Sequence, residues 1–135
     1  MREKALNYIG LMRKANAIQI GENDTGAAVK ANNAKLVLLA ADASDNAAKR
    51  AEGFVFERNV PLITVPFTKE EISDKVGKTG CSMAAVCDTG FADALMKCLV
   101  QLDSEKYAEA AEFIEMQNTR KVHEKNTRTG KRRKN

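Results

Sequence analysis

Asn23 and Asp24 stand side by side where an apolar stretch, AIQI, ends in Gly21 and Glu22. A run of small residues, Thr25, Gly26, Ala27 and Ala28, follows them. An asparagine amide donates and accepts hydrogen bonds, whereas an ionised aspartate only accepts. The aspartate's acceptors suit the imino and amino hydrogens of a guanine edge. If a helix begins here, its first N–H groups have no intrahelical partners, and its dipole puts positive charge at this end. Such an end can take a phosphate. Small residues behind the pair would let a nucleobase or a backbone come close. N-capping by Asp24 or Thr25 explains the same residues without a ligand. A cap accounts for one side chain, and a ligand accounts for both.

Other constellations are weaker. Asp88, Thr89 and Gly90 spell the triplet of retroviral-type aspartic proteases, whose chemistry needs two carboxylates sharing a proton. One copy is present, and a helix is predicted directly after it, so a capping Asp at a strand-to-helix turn explains the triplet. GENDTG is neither a Walker loop nor a dinucleotide fingerprint. The single histidine, His123, falls in a basic tail, so no nucleophile-and-base pair can be assembled. Cys81, Cys87 and Cys98 lack paired spacing. They read as reduced thiols, and no Cys-x-x-Cys supports zinc with His123. The expectation is a protein without catalytic activity, metal or cofactor.

The elements that must position Asn23 and Asp24 follow from periodicity. KALNYIGLMRKANA places Leu6, Ile9, Met12 and Arg13 near one helical face, with Leu11 beside it. AKLVLLAAD is an apolar run of strand length whose lack of alternation suggests burial on both faces. Ser44 can cap a helix over SDNAAKRAEGFVFERN, within which Gly53 either weakens the helix or marks close packing. PLITVP reads as a short strand closed by Pro66. Thr68 caps KEEISDKVG, which stops near Gly77. SMAAVCD is another strand, and Asp88 or Thr89 starts the helix GFADALMKCLVQL. This alternation predicts helices on both faces of a small, mostly parallel sheet. SEKYAEAAEFIEM sets Tyr107, Ala110, Ala111 and Ile114 on one face of a last helix with an acidic outer face.

The 135 residues suit one domain of ordinary size, with 44% apolar residues for its core. No apolar run is long enough to span a membrane, and MREKALNYIG lacks the apolar core of a signal peptide, so a cytoplasmic protein is expected. The net charge of +4 is unevenly spread. Residues 119–135 hold eight Lys or Arg and one Glu, net +7. Residues 103–118 hold five acids and one Lys, net −4, which leaves +1 on residues 1–102. The chain thus divides into a near-neutral domain, 1–102, an acidic amphipathic helix, 103–118, and a basic tail, 119–135, whose composition predicts disorder and a polyanionic partner. A solubilising tail, or one folded onto the acidic segment, is the alternative.

GLMRKANAIQIGENDTGAAVKANNAKLVLLAADASDNAAKR, NVPLITV and ISDKVGKTGCSMAAVCDTGFADAL resemble the kink-turn RNA-binding ribosomal protein superfamily of the L7Ae/L30e type, above all its small bacterial members. The resemblance covers roughly residues 5–102, and KLVLLAADAS is its most specific part. It implies an α/β fold, a three-layer α/β/α sandwich around a small four-stranded mixed sheet, with AIQI as a short first strand. The family's RNA motif is glycine, a variable residue, asparagine, glutamate, two variable residues and lysine. Gly21 and Asn23 match it, and Asp24 takes the glutamate position. Glu22 is the variable residue between them. Ala27 falls at the lysine position, a departure from the pattern. Ser44 falls where many relatives carry an acid, with Asp45 adjacent. Val65, Pro66 and Phe67 fall in the second RNA-facing loop. The resemblance implies binding to the sheared G·A pairs and extruded nucleotide of a kink-turn, in ribosomal RNA or another structured RNA, through irregular RNA shape. A monomer is expected. The tail would add sequence-independent phosphate contacts. From another class, a protein-interaction adaptor on the same fold would use the acidic helix and loops instead.

Overall fold

The structure is a computed structural model that describes the backbone of residues 1–134 and the side chains of residues 1–120. The chain runs α1 (Arg2–Lys14), β1 (Ile18–Ile20), α2 (Glu22–Lys30), β2 (Leu36–Leu39), α3 (Asp45–Val55), β3 (Leu62–Thr64), α4 (Lys69–Val76), β4 (Met83–Val86), α5 (Thr89–Leu102) and α6 (Ser104–Lys134). One four-stranded sheet has the order β1-β4-β2-β3. Only β2 and β3 pair in parallel, whereas β4 is antiparallel to both β1 and β2. The sheet is therefore mixed rather than mostly parallel. The strand-helix alternation misleads because β4 starts at the end of the sheet where β3 stops, so α4 links the two without crossing back to the far end.

Side chains alternate across the central strands, as the pleat requires. Leu36, Leu38, Ala84 and Val86 enter the larger core with Leu6, Ile9 and Met12 of α1, Ile72 of α4, and Leu95 and Leu99 of α5. Val37 and Ala85 face Ala28 and Val29 of α2 on the other side. Leu39 and Met83 meet Ala47 and Ala51 of α3 there. Helices α1, α4, α5 and α6 thus form one layer, and α2 and α3 the other. Burial on both faces explains why β2 reads as an unbroken apolar run.

Local rules set most helix starts. Ser44 accepts from Ala47 N–H at 3.1 Å at the start of α3. Thr68 and Glu71 form a capping box on α4, and Gly77 ends that helix at φ 66°. Asp88 accepts from Phe91 N–H at 2.9 Å and caps α5, which accounts for the Asp-Thr-Gly triplet. Helix α3 is shorter than its apolar pattern. It stops at Val55, Phe56 and Glu57 form a turn, and Glu57 takes φ 59°. Gly53 within it has open space around it, so it marks no close packing.

Helix α6 docks as its stripe predicts. Tyr107 and Ile114 are buried, and the Tyr107 hydroxyl donates to the Thr64 carbonyl. Its helical backbone continues to Lys134 through the segment whose composition predicts disorder. Lys, Arg and Glu are good helix formers, and extending a helix already begun avoids the cost of nucleation. The side chains of residues 121–135, His123 among them, lie outside the described residues. Cys81, Cys87 and Cys98 are free thiols. Desolvation pushes the half-buried Cys87 thiol up, opposed by the Lys35 ammonium.

Candidate nucleic-acid interface

The strand directions bring distant loops to one end of the sheet. Ile20 and Leu38 both pair with Ala84, while Leu39 pairs with Met83 and Thr64. The ends of β1, β2 and β3 and the beginning of β4 therefore lie together. Backbone hydrogen bonds fasten them: Gly21 N–H to Met83 O at 2.9 Å, Ala40 N–H to Ser82 O at 2.9 Å, and Ala41 N–H to Phe67 O at 2.8 Å. The Asp42 carboxylate accepts from Lys69 N–H at 2.8 Å and ties the β2–α3 loop to the start of α4. Residues scattered from 21 to 82 thus form one surface.

Gly21 is the hinge of that surface. It caps α2 at φ 97°, in the region that favours glycine, and a Cβ there would meet the Gly80 carbonyl at 3.6 Å. Helix α2 begins at Glu22, so Asn23 and Asp24 lie in its first turn, and no side chain caps it. Capping by Asp24 or Thr25 is therefore not what these residues do. The first-turn N–H groups of α2 open onto the same end. Asn23 and Asp24 are exposed. Asn23 stands between two ion pairs, Glu22–Arg50 and Asp24–Lys78, the latter at 3.5 Å.

The small residues behind the pair are mostly used elsewhere. Thr25 and Ala28 are buried, and Gly26 faces the Phe54 ring, where a Cβ would lie 2.8 Å from Cζ. Their size serves helix packing, not ligand approach. Ala27 is the exposed one. The remaining expected positions divide. Ser44 and Asp45 are exposed on the β2–α3 loop and at the start of α3. Val65 and Phe67 are fully buried, so their side chains belong to the core, and Pro66 between them is partly exposed.

Arg2 braces this second loop. Its guanidinium lies 5.2 Å from the Phe67 ring centroid, donates to Pro66 O at 3.2 Å, and bridges to Glu71. The hydrogen bonds from Arg2 and from Thr68 N–H hold the Glu71 carboxyl below the usual carboxylate range.

Sequence reasoning missed Arg50 and Lys78. No local pattern announces either one, because each reaches the surface from an element remote in sequence. The fixed charges of the surface are therefore mixed, with each acid of α2's first turn matched by a cation from a neighbouring element.

Comparison with known proteins agrees with this architecture. The family model described as Ribosomal protein L7Ae/L30e/S12e/Gadd45 family matches residues 3–96. A protein named RNA-binding protein YlxQ from Enterococcus faecium is 35% identical over 91 residues, which span 67% of this chain and 86% of that protein. The protein of the same name from Bacillus subtilis (strain 168) is 33% identical over 91 residues, spanning 67% of this chain and 90% of its own. A solved structure from Bacillus halodurans C, of a protein with unknown function, superposes with a TM-score of 0.63 at 26% identity, covering 68% of this chain and 92% of that one. The Giardia lamblia 15.5kD RNA binding protein shares the fold, with a TM-score of 0.57 at 17% identity over 73% of this chain and 84% of its own. The chain belongs to the ribosomal protein L7Ae/L30e/S12e/Gadd45 family.

Proposed function

We propose that this protein is a non-catalytic, ribosome-associated RNA-binding protein of the cytoplasm, acting as a monomer. Its ligand is a kink-turn or a similarly bent structured RNA, held at the sheet end that carries Gly21, Asn23 and Asp24. One observation carries the reading: an exposed Asn–Asp pair in the first turn of α2, directly after a glycine at φ 97°. The pair offers donors and acceptors to the sheared base edges, and the helix N-terminus offers N–H groups to a phosphate. The β2–α3 loop with Ser44 and Asp45, and the Pro66 loop, flank the same end and would contact the extruded nucleotide. Family membership and two relatives named as RNA-binding proteins support the ligand class.

The test compares a kink-turn RNA with a regular duplex of equal length by fluorescence anisotropy. The kink-turn should bind markedly tighter. Asn23→Ala should remove about 1–3 kcal/mol of that preference, the usual cost of leaving a desolvated hydrogen-bonding partner unpaired. Equal affinity for both RNAs, or an Asn23→Ala variant as good as the parent, would reject the site. Sedimentation through a sucrose gradient checks ribosome association.

A further inference from the structure

At the opposite end of the sheet from Asn23, a cleft of about 880 Å³ opens between the α3–β3 connection, the start of β2 and α6. Its walls carry three cations, Lys35, Arg58 and Arg120, against one carboxylate, Glu57. Phe56 at its rim is 72% exposed, more than any other large apolar side chain among the described residues. The backbone is arranged for this. Phe56 and Glu57 form a turn off the end of the helix, closed by Arg58 N–H donating to Val55 O at 3.0 Å, and Glu57 takes φ 59°, a region that few residues other than glycine adopt. Arg58 is held from behind, where its guanidinium donates to Val29 O at 3.1 Å and to Asn32 Oδ1 at 3.3 Å. A groove between α2 and α3 is lined by Asn23, Ala27, Lys30 and Arg50, and it shares Phe56 and Arg58 with the cleft. The surface is thus continuous from the candidate interface to Phe56.

We propose that this cleft is a second RNA contact, which takes an unpaired nucleotide segment of the RNA held at Asn23. A base stacks on Phe56, and the adjoining phosphates lie on Lys35, Arg58 and Arg120. Stacking on an exposed aromatic beside fixed cations is how single strands are held without sequence preference. Charge favours nucleic acid over a protein partner here. Residues 121–135, which continue directly from Arg120 in the sequence, hold seven further Lys or Arg and one Glu. The choice of ligand rests on the RNA-binding reading given above, but the site itself is separate from Asn23 and Asp24.

The experiment uses the full chain and three fluorescent probes: a blunt kink-turn RNA, the same RNA with a single-stranded oligo-uridine extension of about 8 nucleotides, and the free oligonucleotide. The extension should tighten binding about tenfold. Phe56→Ala should erase that gain and leave the blunt RNA unaffected. Lys35→Gln should weaken the gain and lower its log–log salt slope by about one unit. Asn23→Ala should weaken both kink-turn probes equally. If Asn23→Ala has no effect while Phe56→Ala abolishes binding of the free oligonucleotide, the loop site fails and the second contact stands. An extension that adds nothing, or a gain that survives Phe56→Ala, overturns the proposal. So does a Phe56→Ala variant that changes the oligomeric state in sedimentation while its RNA affinities stay as they were.

Discussion

The ring of Phe54 occupies the space in which a side chain at Gly26 would have to stand: a Cβ built at Gly26 lies 2.8 Å from Cζ and 2.9 Å from Cε1. Gly26 is in α2 and Phe54 in α3, so this contact sets how closely the two helices of the smaller layer approach. Phe54 also packs against both apolar clusters of that layer.

Gly26→Ala and Gly53→Ala should therefore have opposite signs. In an open helix position, replacing Gly by Ala stabilises by about 0.5–1 kcal/mol. Gly53 has nothing within 4 Å of its would-be Cβ, and that gain should appear in full. At Gly26 the same gain is set against displacement of a packed ring, which typically costs about 1–3 kcal/mol. Thermal unfolding of the two variants should show a raised Tm for the first glycine's counterpart in α3 and a lowered Tm for Gly26→Ala. A raised Tm for both would mean that the Phe54 ring yields freely.

Ala27→Lys should tighten kink-turn binding by about 1 kcal/mol, roughly fivefold. Position 27 is exposed, three residues past Asp24 on the same helix, so the introduced ammonium would share its face. A charge-assisted hydrogen bond worth roughly 1.5–3 kcal/mol would be offset by up to about 2 kcal/mol of side-chain ordering. Lys78 already sits 3.5 Å from Asp24, so the gain should be larger in a Lys78→Ala background. Isothermal titration with a regular duplex is the control, and an equal gain there would reveal nonspecific charge.

Acid should weaken the fold in part through Glu71. Its folded-state pKa is depressed by hydrogen bonds from Arg2 and from Thr68 N–H. A depressed carboxyl contributes stability that is present above the unfolded-state pKa and lost as pH falls through the folded value. The Tm gap between the parent and Glu71→Gln should be widest near neutrality and close as the solution becomes more acidic than the ordinary carboxylate range. High salt should narrow the gap, because the pair is solvent-exposed. A gap independent of pH would show that shape, not charge, is what Glu71 contributes.

Removing residues 119–135 should lower affinity for all RNAs alike. The segment carries eight Lys or Arg. If about half of them meet phosphates, the log–log salt slope should fall by roughly 3 units. An unchanged slope would make the segment a bystander to RNA.

Much of this architecture was legible in the sequence because short-range rules govern it. Ser44, Thr68 and Asp88 cap the helices that their positions predict, and the unbroken apolar run of β2 reports its two buried faces. Strand direction was less legible, since periodicity carries no sign of which way β4 runs. The start of α2 was also hidden. A glycine in a left-handed conformation does the capping, so the polar residues after it resemble caps without being caps. The roles of Val65 and Phe67 depend on depth in the core, and those of Arg50 and Lys78 on contacts across elements. None of these leaves a local trace.

The place of β4 in the sheet has a consequence for synthesis of the chain. Strand β1 pairs only with β4, and β4 separates it from β2. A nascent chain that has emerged as far as α4 can pair β2 with β3, but β1 then has no neighbour. The surface holding Gly21 is unfinished too, because its backbone N–H bonds to Met83. The Asn–Asp pair can therefore take its final position only after residue 86 has cleared the exit tunnel. Until then, β1 must wait without a strand partner.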